Sequence, residues 1–233
     1  MFPFAGSLIV SCQPVLGGPL DRPDIVVGFA LAALSSGATG LRIEGRHNIA
    51  AVRAATTAPI IGLIKRDLEN SSVRITPYLE DIGTLVDAGA DIIAFDATDR
   101  LRPVAAAALC DAAHRAGKVA MADVSSLGEA RAAFAFGADL IGTTLSGYTG
   151  EPEPDEPDFA LLAAAAALGR PVIAEGRIRT PAQAAGAMQA GAYAVVVGSA
   201  ITRPEYVTRW FADAIARETD APGAAATARV GKR

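Results

Sequence analysis

Five polar residues stand at the ends of short apolar stretches, and their side chains could move protons. In "PIIGLIKRD", for example, Ile61 and Leu63 precede Lys65 at a spacing of two. Because side chains alternate along a strand, residues two apart share a face. Lys65 alone could be a solvated strand end, but an amine among carboxylates could carry out proton transfer, Schiff-base formation or hydrolysis. The five residues are Gln13, Arg42, Lys65, Asp123 and Glu175.

Several of these residues also have a purely structural explanation. Asp123 could cap the turn "DVSS" that follows it. Arg42 could pair only with Glu44, and Glu175 could form a surface ion pair with Arg177. Taken singly, none of them indicates a site. The same parity and position on five separate stretches favours a shared site.

The polar residues follow apolar stretches that alternate with alanine-rich amphipathic ones. This alternation predicts a parallel sheet, and eight units favour a closed (β/α)8 TIM barrel over an open doubly wound sheet. Reacting groups then lie at the carboxyl ends of the strands. We predict a single-domain barrel over residues 1–215 and a disordered tail over 216–233, which has few large apolar residues. The predicted strands are "SLIVSC", "TGLRIE", "PIIGLIK", "DIIAFD", "KVAMAD", "DLIGTT", "PVIAEG" and "AYAVVVG".

The last two units carry a candidate anion site. Gly176 ends the seventh strand in "IAEGRI", and Gly198 and Ser199 end the eighth and open a short helical turn in "VVVGSAITRP". Free backbone N–H groups at a helix start bind phosphate, and these two loops are the frequent phosphate site of such barrels. Arg203 could add a charge-assisted contact, although "TRP" could simply begin the final helix.

Composition excludes several other classes of function. The chain of 233 residues has 25 acidic and 21 basic residues, a net charge of -4 and no basic run, so nucleic acid is not expected as a partner. Its first residues lack the basic region and long apolar core of a signal peptide, and its apolar runs are too short to cross a bilayer, so we expect no membrane contact and a cytoplasmic location. Cys12 and Cys110 lack metal spacing and are interpreted as buried reduced thiols, and His47 and His114 as surface residues. With no dinucleotide or P-loop motif, neither cofactor nor metal is expected.

Nine motifs occur in order along the chain, and the likeness that they carry covers roughly residues 7–212: "LIVSCQPV", "RIEG", "IGLIKRD", "ITP", "DATDRLRP", "MADVSSL", "GTTLSGYT", "IAEGRI" and "AYAVVVGSAITRP". Together they resemble the N-acetylmannosamine-6-phosphate 2-epimerase family. The resemblance implies a cofactor-independent isomerase that interconverts N-acetylmannosamine 6-phosphate and N-acetylglucosamine 6-phosphate in sialic acid breakdown. It departs in the abrupt start "MFPFAG", where some members carry a longer helix, and in the C-terminal tail. These departures concern the barrel floor and the oligomer interface.

The resemblance also implies roles for individual residues. Lys65 in "IKRD" is similar to the family's catalytic acid/base, and Glu175 in "AEGR" to its catalytic carboxylate. A homodimer that binds a phosphosugar is expected. The implied substrate contacts are Gln13, Arg42, Asp123, Arg177 and Arg203, and the implied phosphate-binding residues are Gly176, Gly198 and Ser199.

The expected reaction removes the proton at C2 of the ring-opened sugar, which lies α to a carbonyl. Lys65 must be neutral to take that proton. Burial and Arg42 would lower its pKa, whereas Asp123 and Glu175 would raise it, and the sequence does not decide which prevails. Two alternatives stay open: an aldolase that forms a Schiff base on Lys65, and a non-catalytic phosphosugar sensor.

Overall fold

Eight parallel strands close into a barrel in the order β1 to β8. The computed structural model describes residues 4–150 and 153–220. Each strand pairs with its sequence neighbours, and β1 closes the barrel against β8. The predicted TIM barrel is confirmed. The strands are β1 (Ser7–Cys12), β2 (Gly40–Glu44), β3 (Ile60–Leu63), β4 (Ile92–Asp96), β5 (Val119–Asp123), β6 (Leu140–Gly142), β7 (Val172–Ala174) and β8 (Ala194–Val197).

Helices follow the strands and cover the outside of the barrel. The last helix continues through Asp220, so residues 216–220 of the expected tail are helical, and residues 221–233 lie outside the described part. None of the helices within the described residues has the length and apolar character that a bilayer crossing needs. The helices are α1 (Pro23–Ser35), α2 (Arg46–Ala55), α3 (Leu79–Asp87), α4 (Ala106–Arg115), α5 (Leu127–Ala135), α6 (Phe159–Ala166), α7 (Pro181–Gln189), α8 (Ser199–Thr202) and α9 (Pro204–Asp220).

Strand parity separates two apolar clusters. Ile61, Leu63 and Met121 belong to a cluster inside the barrel. Their neighbours of opposite parity, such as Ile60 and Ala122, belong to the cluster between sheet and helices. The inward parity predicted for the strands that carry the polar residues is therefore confirmed.

An aromatic pair fills the amino-terminal end of the barrel. Phe4, three residues before β1, is 1% exposed and lies in the interior cluster. Its ring meets that of Tyr193, just before β8, edge to face at 6.5 Å between centroids. The segment before β1 thus supplies a side chain that packs into the interior of the barrel.

The two cysteines and the two histidines do not line the cavity-facing side of the strands: Cys12 ends β1 with outward parity, in the cluster between sheet and helices. Cys12 and Cys110 are buried free thiols, and burial raises the pKa of Cys12 to about 12 and, with nearby carboxylates, that of Cys110 to about 11. His47 is exposed, and His114 makes a 2.8 Å contact with Asp139 on the surface. The interpretation of all four residues from sequence is confirmed.

Candidate active site

A cavity of about 500 Å³ opens at the carboxyl ends of the strands. This volume suits a small ligand such as a phosphorylated sugar. Asp123 is fully buried and contacts Arg42 of the cavity wall. The structure therefore brings all ten predicted site residues together around one space. Those that line the cavity directly are Gln13, Arg42, Lys65, Glu175, Gly176, Arg177, Gly198, Ser199 and Arg203.

A buried ion pair joins β2 to β5 inside the barrel. Arg42 Nη1 and Nη2 donate to Asp123 Oδ1 and Oδ2 at 3.2 and 2.6 Å. Arg42 Nη1 also lies 3.1 Å from Glu175 Oε2. The alternatives considered for these residues are wrong, since Arg42 does not pair with Glu44 and the cap of α5 is Ser126. A bidentate pair of this kind fixes both side chains in place.

Burial and neighbouring charges determine the protonation of this cluster. Burial disfavours the charged form of Arg42, but Asp123 and Glu175 outweigh it and raise the pKa of the guanidinium, which stays charged. Burial also raises the pKa of Glu175, Arg42 opposes that rise, and Asp123 adds to it. The net effect on Glu175 is a raised pKa, which favours a proton on this carboxyl.

Thr144 is a site residue that the sequence reasoning missed. Its Oγ1 lies 2.6 Å from Asp123 Oδ1 and 3.1 Å from Glu175 Oε2. The residue follows β6 at the same parity as Leu140 and Gly142, so the inward rule applied to "DLIGTT" would have found it. Gly142 provides the space for this contact, because a Cβ there would lie 2.6 Å from Asp123 Oδ1 and 2.9 Å from Thr144 Oγ1.

Lys65 lies just beyond β3. The strand ends at Leu63, two residues earlier than predicted, and Lys65 continues as an isolated antiparallel bridge to Ile75. Within the described residues, Nζ of Lys65 has no hydrogen bond or ion pair. Its amine is therefore available to a ligand in the cavity.

The environment of Lys65 favours the neutral amine. Burial and then the positive charges of Arg203 and Arg42 lower its pKa to about 8, against the opposing effect of Glu44 and Glu175. The direction that the sequence left open is thus decided by desolvation and by a second arginine. An amine with this pKa is largely neutral slightly above pH 8, as a general base must be.

Other residues that line the cavity have the features of an anion site. Gly176 has φ of +114°, a conformation that L side chains rarely adopt, and Gly198 is the N-cap of α8. Arg203 Nε donates to Gln13 O at 2.6 Å and its guanidinium lies 5.5 Å from the Tyr206 ring centroid, while its two Nη nitrogens have no hydrogen bond or ion pair within the described residues. Gln13 is itself held by a 2.9 Å hydrogen bond from its Nε2 to Ser11 Oγ. This arrangement leaves charge-assisted donors free for a phosphate.

Arg177 has a different environment from the other predicted substrate contacts. Its guanidinium donates to the backbone carbonyls of Glu156 and Ser146 and stacks over the ring of Tyr148 at 5.1 Å. These contacts hold the loop after β6 against the cavity rim. The alternative of an ion pair between Arg177 and Glu175 is wrong, and a direct substrate contact by Arg177 stays a prediction.

Further lining residues were not singled out from sequence. Asp96 ends β4 with inward parity and pairs with Arg100 and Arg102 at 2.6 and 2.8 Å. Trp210 of α9 reaches the rim, where Arg179 stacks over its ring at 5.2 Å. Parity could have found Asp96, but no local pattern signals that a residue of the last helix reaches the site.

The closed barrel with a charged cavity at the carboxyl ends of its strands defines a (β/α)8-barrel enzyme. A family model described as "Putative N-acetylmannosamine-6-phosphate epimerase" matches residues 26–217. The chain belongs to this family, NanE, and the family predicted from the motifs is confirmed.

Individual relatives agree with this membership. The chain is 61% identical over 211 residues to the "Bifunctional enzyme NanE/NanK" of Brucella melitensis, covering 90% of this chain and 41% of that protein. It therefore spans about two-fifths of the bifunctional relative. A Klebsiella pneumoniae protein named "Putative N-acetylmannosamine-6-phosphate 2-epimerase" is 59% identical over 210 residues, which cover 90% of this chain and 90% of that protein. The solved N-acetylmannosamine-6-phosphate 2-epimerase from Clostridium perfringens superposes with a TM-score of 0.88 at 41% identity, covering 91% of this chain and 94% of that one.

Proposed function

We propose that this protein interconverts N-acetylmannosamine 6-phosphate and N-acetylglucosamine 6-phosphate in sialic acid and amino-sugar breakdown. The observation that carries the proposal is Lys65, a half-buried amine with a pKa lowered to about 8, which lines the same cavity as Gly198, Ser199 and Arg203. The names of the relatives support the same substrate. Because the two sugars differ only in configuration at C2, the reaction requires a proton to leave and return at that carbon.

Lys65 is the proposed base. In the ring-opened sugar the C2 proton is α to the aldehyde, so its removal gives an enolate. The neutral amine of Lys65 takes this proton, and a proton delivered to C2 from the opposite face, by Glu175 or by water, completes the inversion.

Glu175 is the proposed second proton-transfer group, and Arg42 and Asp123 position it. Its raised pKa suits a carboxyl that donates a proton to the sugar oxygen on which negative charge develops. Arg42 lies 3.1 Å from Glu175 Oε2 and is itself held by Asp123, so the guanidinium can stabilise that charge without reorganising.

The 6-phosphate is the proposed anchor. Gly176, Gly198, Ser199 and Arg203 line the cavity, and the Nη nitrogens of Arg203 have no hydrogen bond or ion pair within the described residues. Gln13, whose carbonyl holds Arg203, lines the adjoining wall. Binding at a remote phosphate positions C2 against Lys65 and contributes to lowering the barrier.

NMR of N-acetylmannosamine 6-phosphate with enzyme in deuterated water tests the reaction. We expect the N-acetylglucosamine epimer with deuterium at C2, and Lys65→Ala should remove turnover while the far-UV circular dichroism spectrum is unchanged. No epimer with the wild-type protein, or undiminished turnover by Lys65→Ala, would refute the assignment. Full retention of the original proton would instead indicate a single base shielded from solvent.

Borohydride trapping separates the epimerase from a Schiff-base aldolase on the same residue. A neutral amine also forms Schiff bases with carbonyl substrates. Incubation with substrate and borohydride should leave the mass of the peptide that contains Lys65 unchanged. A covalent adduct on Lys65 would contradict the proton-transfer role.

We also propose that the chain forms a homodimer through α9. Phe211 and Ile215, one helical turn apart, are 68% and 65% exposed. An apolar groove of about 520 Å³ lies outside the barrel, next to β8, and includes Leu8, Val195 and Ile201. A second copy offers an apolar helix and an apolar groove of matching character, and burial of both would stabilise the pair.

A cytoplasmic location is proposed on the state of the cysteines. Cys12 and Cys110 are buried free thiols, the state that a reducing compartment maintains. A phosphorylated sugar is also a substrate that is expected inside the cell.

A further inference from the structure

One hydroxyl lies between two carboxyl groups at the centre of the site. Thr144 Oγ1 is 2.6 Å from Asp123 Oδ1 and 3.1 Å from Glu175 Oε2. A hydroxyl has a single proton to donate and two lone pairs that accept. It can therefore donate to one of the two carboxyl groups only, and the other must meet a lone pair.

The hydroxyl proton points to Asp123. The 2.6 Å separation is typical of a hydroxyl that donates to an ionised carboxylate, whereas 3.1 Å is not. Asp123 also receives two hydrogen bonds from Arg42, which hold it as the charged partner of a buried pair. The second carboxyl group, Glu175, is then left facing a lone pair of Thr144.

An ionised Glu175 would have one favourable and one unfavourable neighbour in that position, because Arg42 forms an ion pair with its Oε2 at 3.1 Å whereas Thr144 would offer it only a lone pair. Its Oε2 would stand 3.1 Å from an oxygen that has no proton to offer it. Arg42 Nη1 forms an ion pair with the same oxygen at 3.1 Å, but it is shared, since it also donates to Asp123 Oδ1 at 3.2 Å and contacts Met121 Sδ at 3.8 Å. A proton on Oε2 turns the unfavourable contact into a hydrogen bond from Glu175 to Thr144.

We propose that Thr144 is a positioning residue whose hydroxyl donates to Asp123 and accepts from Glu175, so that Glu175 is held neutral and oriented as the acid. The chain of hydrogen bonds runs from Glu175 through Thr144 to Asp123, which Arg42 neutralises. This inference rests on the proposed proton-transfer role of Glu175.

The backbone around Thr144 leaves room for the hydrogen bonds that join Glu175, Thr144 and Asp123. The register of β5 and β6 places Asp123 beside Gly142, where a Cβ would collide with both the Asp123 carboxylate and the Thr144 hydroxyl. Burial also raises the pKa of Glu175, the direction that a neutral carboxyl requires. A hydroxyl that donated to Glu175 would act in the opposite direction.

Infrared spectroscopy across a pH titration measures the protonation of Glu175 directly. The C=O stretch of a protonated carboxyl is assigned to Glu175 by its loss in Glu175→Gln. The wild-type protein should show this band at neutral pH. In Thr144→Val, which keeps the shape but removes the acceptor, the midpoint of the band should fall by about one pH unit, a tenfold change in the protonation equilibrium. Thr144→Ser should restore the wild-type midpoint.

Thr143→Val is the matched control. The hydroxyl of Thr143 donates to the backbone carbonyl of Glu175 at 2.9 Å and accepts from its amide at 3.0 Å, so it holds the strand end but not the carboxyl. Its loss should leave the midpoint unchanged. Kinetically, Thr144→Val should lower kcat roughly 10- to 100-fold with a smaller effect on KM, because the proposed role of the hydroxyl is to position Glu175.

The direction of the shift decides between the two arrangements. A midpoint that rises in Thr144→Val would show that Thr144 donates to an ionised Glu175, and an unchanged midpoint would show that it does neither; both overturn the proposal. If Thr144→Val does not fold, a wild-type spectrum without the Glu175 band at neutral pH overturns it independently. Wild-type turnover of N-acetylmannosamine 6-phosphate tests the proposed function separately, so an active enzyme with ionised Glu175 would refute this inference alone.

Discussion

At the scale of single residues, the chemistry of the site depends on the pH at which the amine of Lys65 loses its positive charge. Desolvation is the largest effect on its pKa, and the two arginines act in the same direction as desolvation. The phosphate anchor and the base are thus coupled through Arg203, which serves one and tunes the other. Binding of a phosphate dianion next to Arg203 offsets its charge, so we expect the pKa of Lys65 to be higher in the complex than in the free protein.

The pH dependence of kcat/KM tests this coupling. The free enzyme needs neutral Lys65, so kcat/KM should rise with pH up to a pKa of about 8. Arg203→Gln removes a positive charge that lowers this pKa, and the rise should move to higher pH. Arg203→Lys keeps the charge and should move it less. An unshifted rise in Arg203→Gln would contradict the electrostatic role.

Replacement of Lys65 by methionine should separate activity from stability. Turnover should fall by about 10²- to 10⁴-fold, as expected for loss of a general base. The pKa of Lys65 is 10.5 unfolded and about 8 folded, so its contribution to stability is present above 10.5 and is lost as the pH falls to 8. Lys65→Met should therefore be more stable than wild type at pH 7, by at most about 3 kcal/mol.

Thermal unfolding of both proteins at several pH values checks this expectation. The difference in Tm should shrink between pH 8 and 10.5, where Lys65 is already neutral in the folded state. A variant that is less stable than wild type at pH 7 would show that Lys65 is not a desolvated amine.

At the scale of elements, β6 contributes to the site because its last residue, Gly142, has no side chain. The strand has only three residues, Leu140–Gly142, and its final glycine lies beside Asp123 in the barrel register. Because the carboxylate of Asp123 and the hydroxyl of Thr144 occupy the space of a side chain, β6 makes room for the contact between them. A short strand with a small final residue is thus part of the site.

Gly142→Ala should disrupt this contact. The new methyl would lie within 2.6 Å of Asp123 Oδ1 and of Met121 Cε unless these atoms move. We expect kcat to fall by about two orders of magnitude and stability to fall by roughly 1–3 kcal/mol. Gly28→Ala in α1, where nothing lies within 4 Å, is the control and should gain about 0.5–1 kcal/mol with unchanged kcat. Equal kinetics of both variants would contradict the packing argument.

At the scale of the whole molecule, α9 contributes both to the rim of the cavity and to the outer surface. Its Trp210 lines the cavity rim, while Phe211 and Ile215 present an apolar surface to solvent. A single barrel has no further element to cover these side chains within its described residues. The proposed dimer covers them and would also fix the helix that carries Trp210.

Light scattering coupled to size exclusion tests the dimer. The wild-type protein should have twice the chain mass of 23.8 kDa. The double variant Phe211→Ser with Ile215→Ser should shift toward a single chain, because the apolar contact area is lost. Leu31→Ser on α1, 43% exposed in the wild type, is the control and should stay dimeric. A wild-type protein with the mass of one chain would refute the proposal.

The sequence determined the elements and the direction of their side chains. Strand periodicity and helix composition are local properties, so eight strands and the inward parity of Ser11, Lys65, Asp123 and Glu175 could be predicted without any contact. Only boundaries differed, as where β3 ends at Leu63, because the last residues of a strand depend on whether a neighbour is there to pair with them.

The tertiary structure alone decided which polar groups meet. Arg42 pairs with Asp123, 81 positions away, and Thr144 bridges it to Glu175, because the register of separate strands sets these distances. Arg177 contacts a loop instead of its sequence neighbour for the same reason. The lowered pKa of Lys65 depends on burial and on Arg203 from the far end of the chain, so no local pattern of residues could establish it.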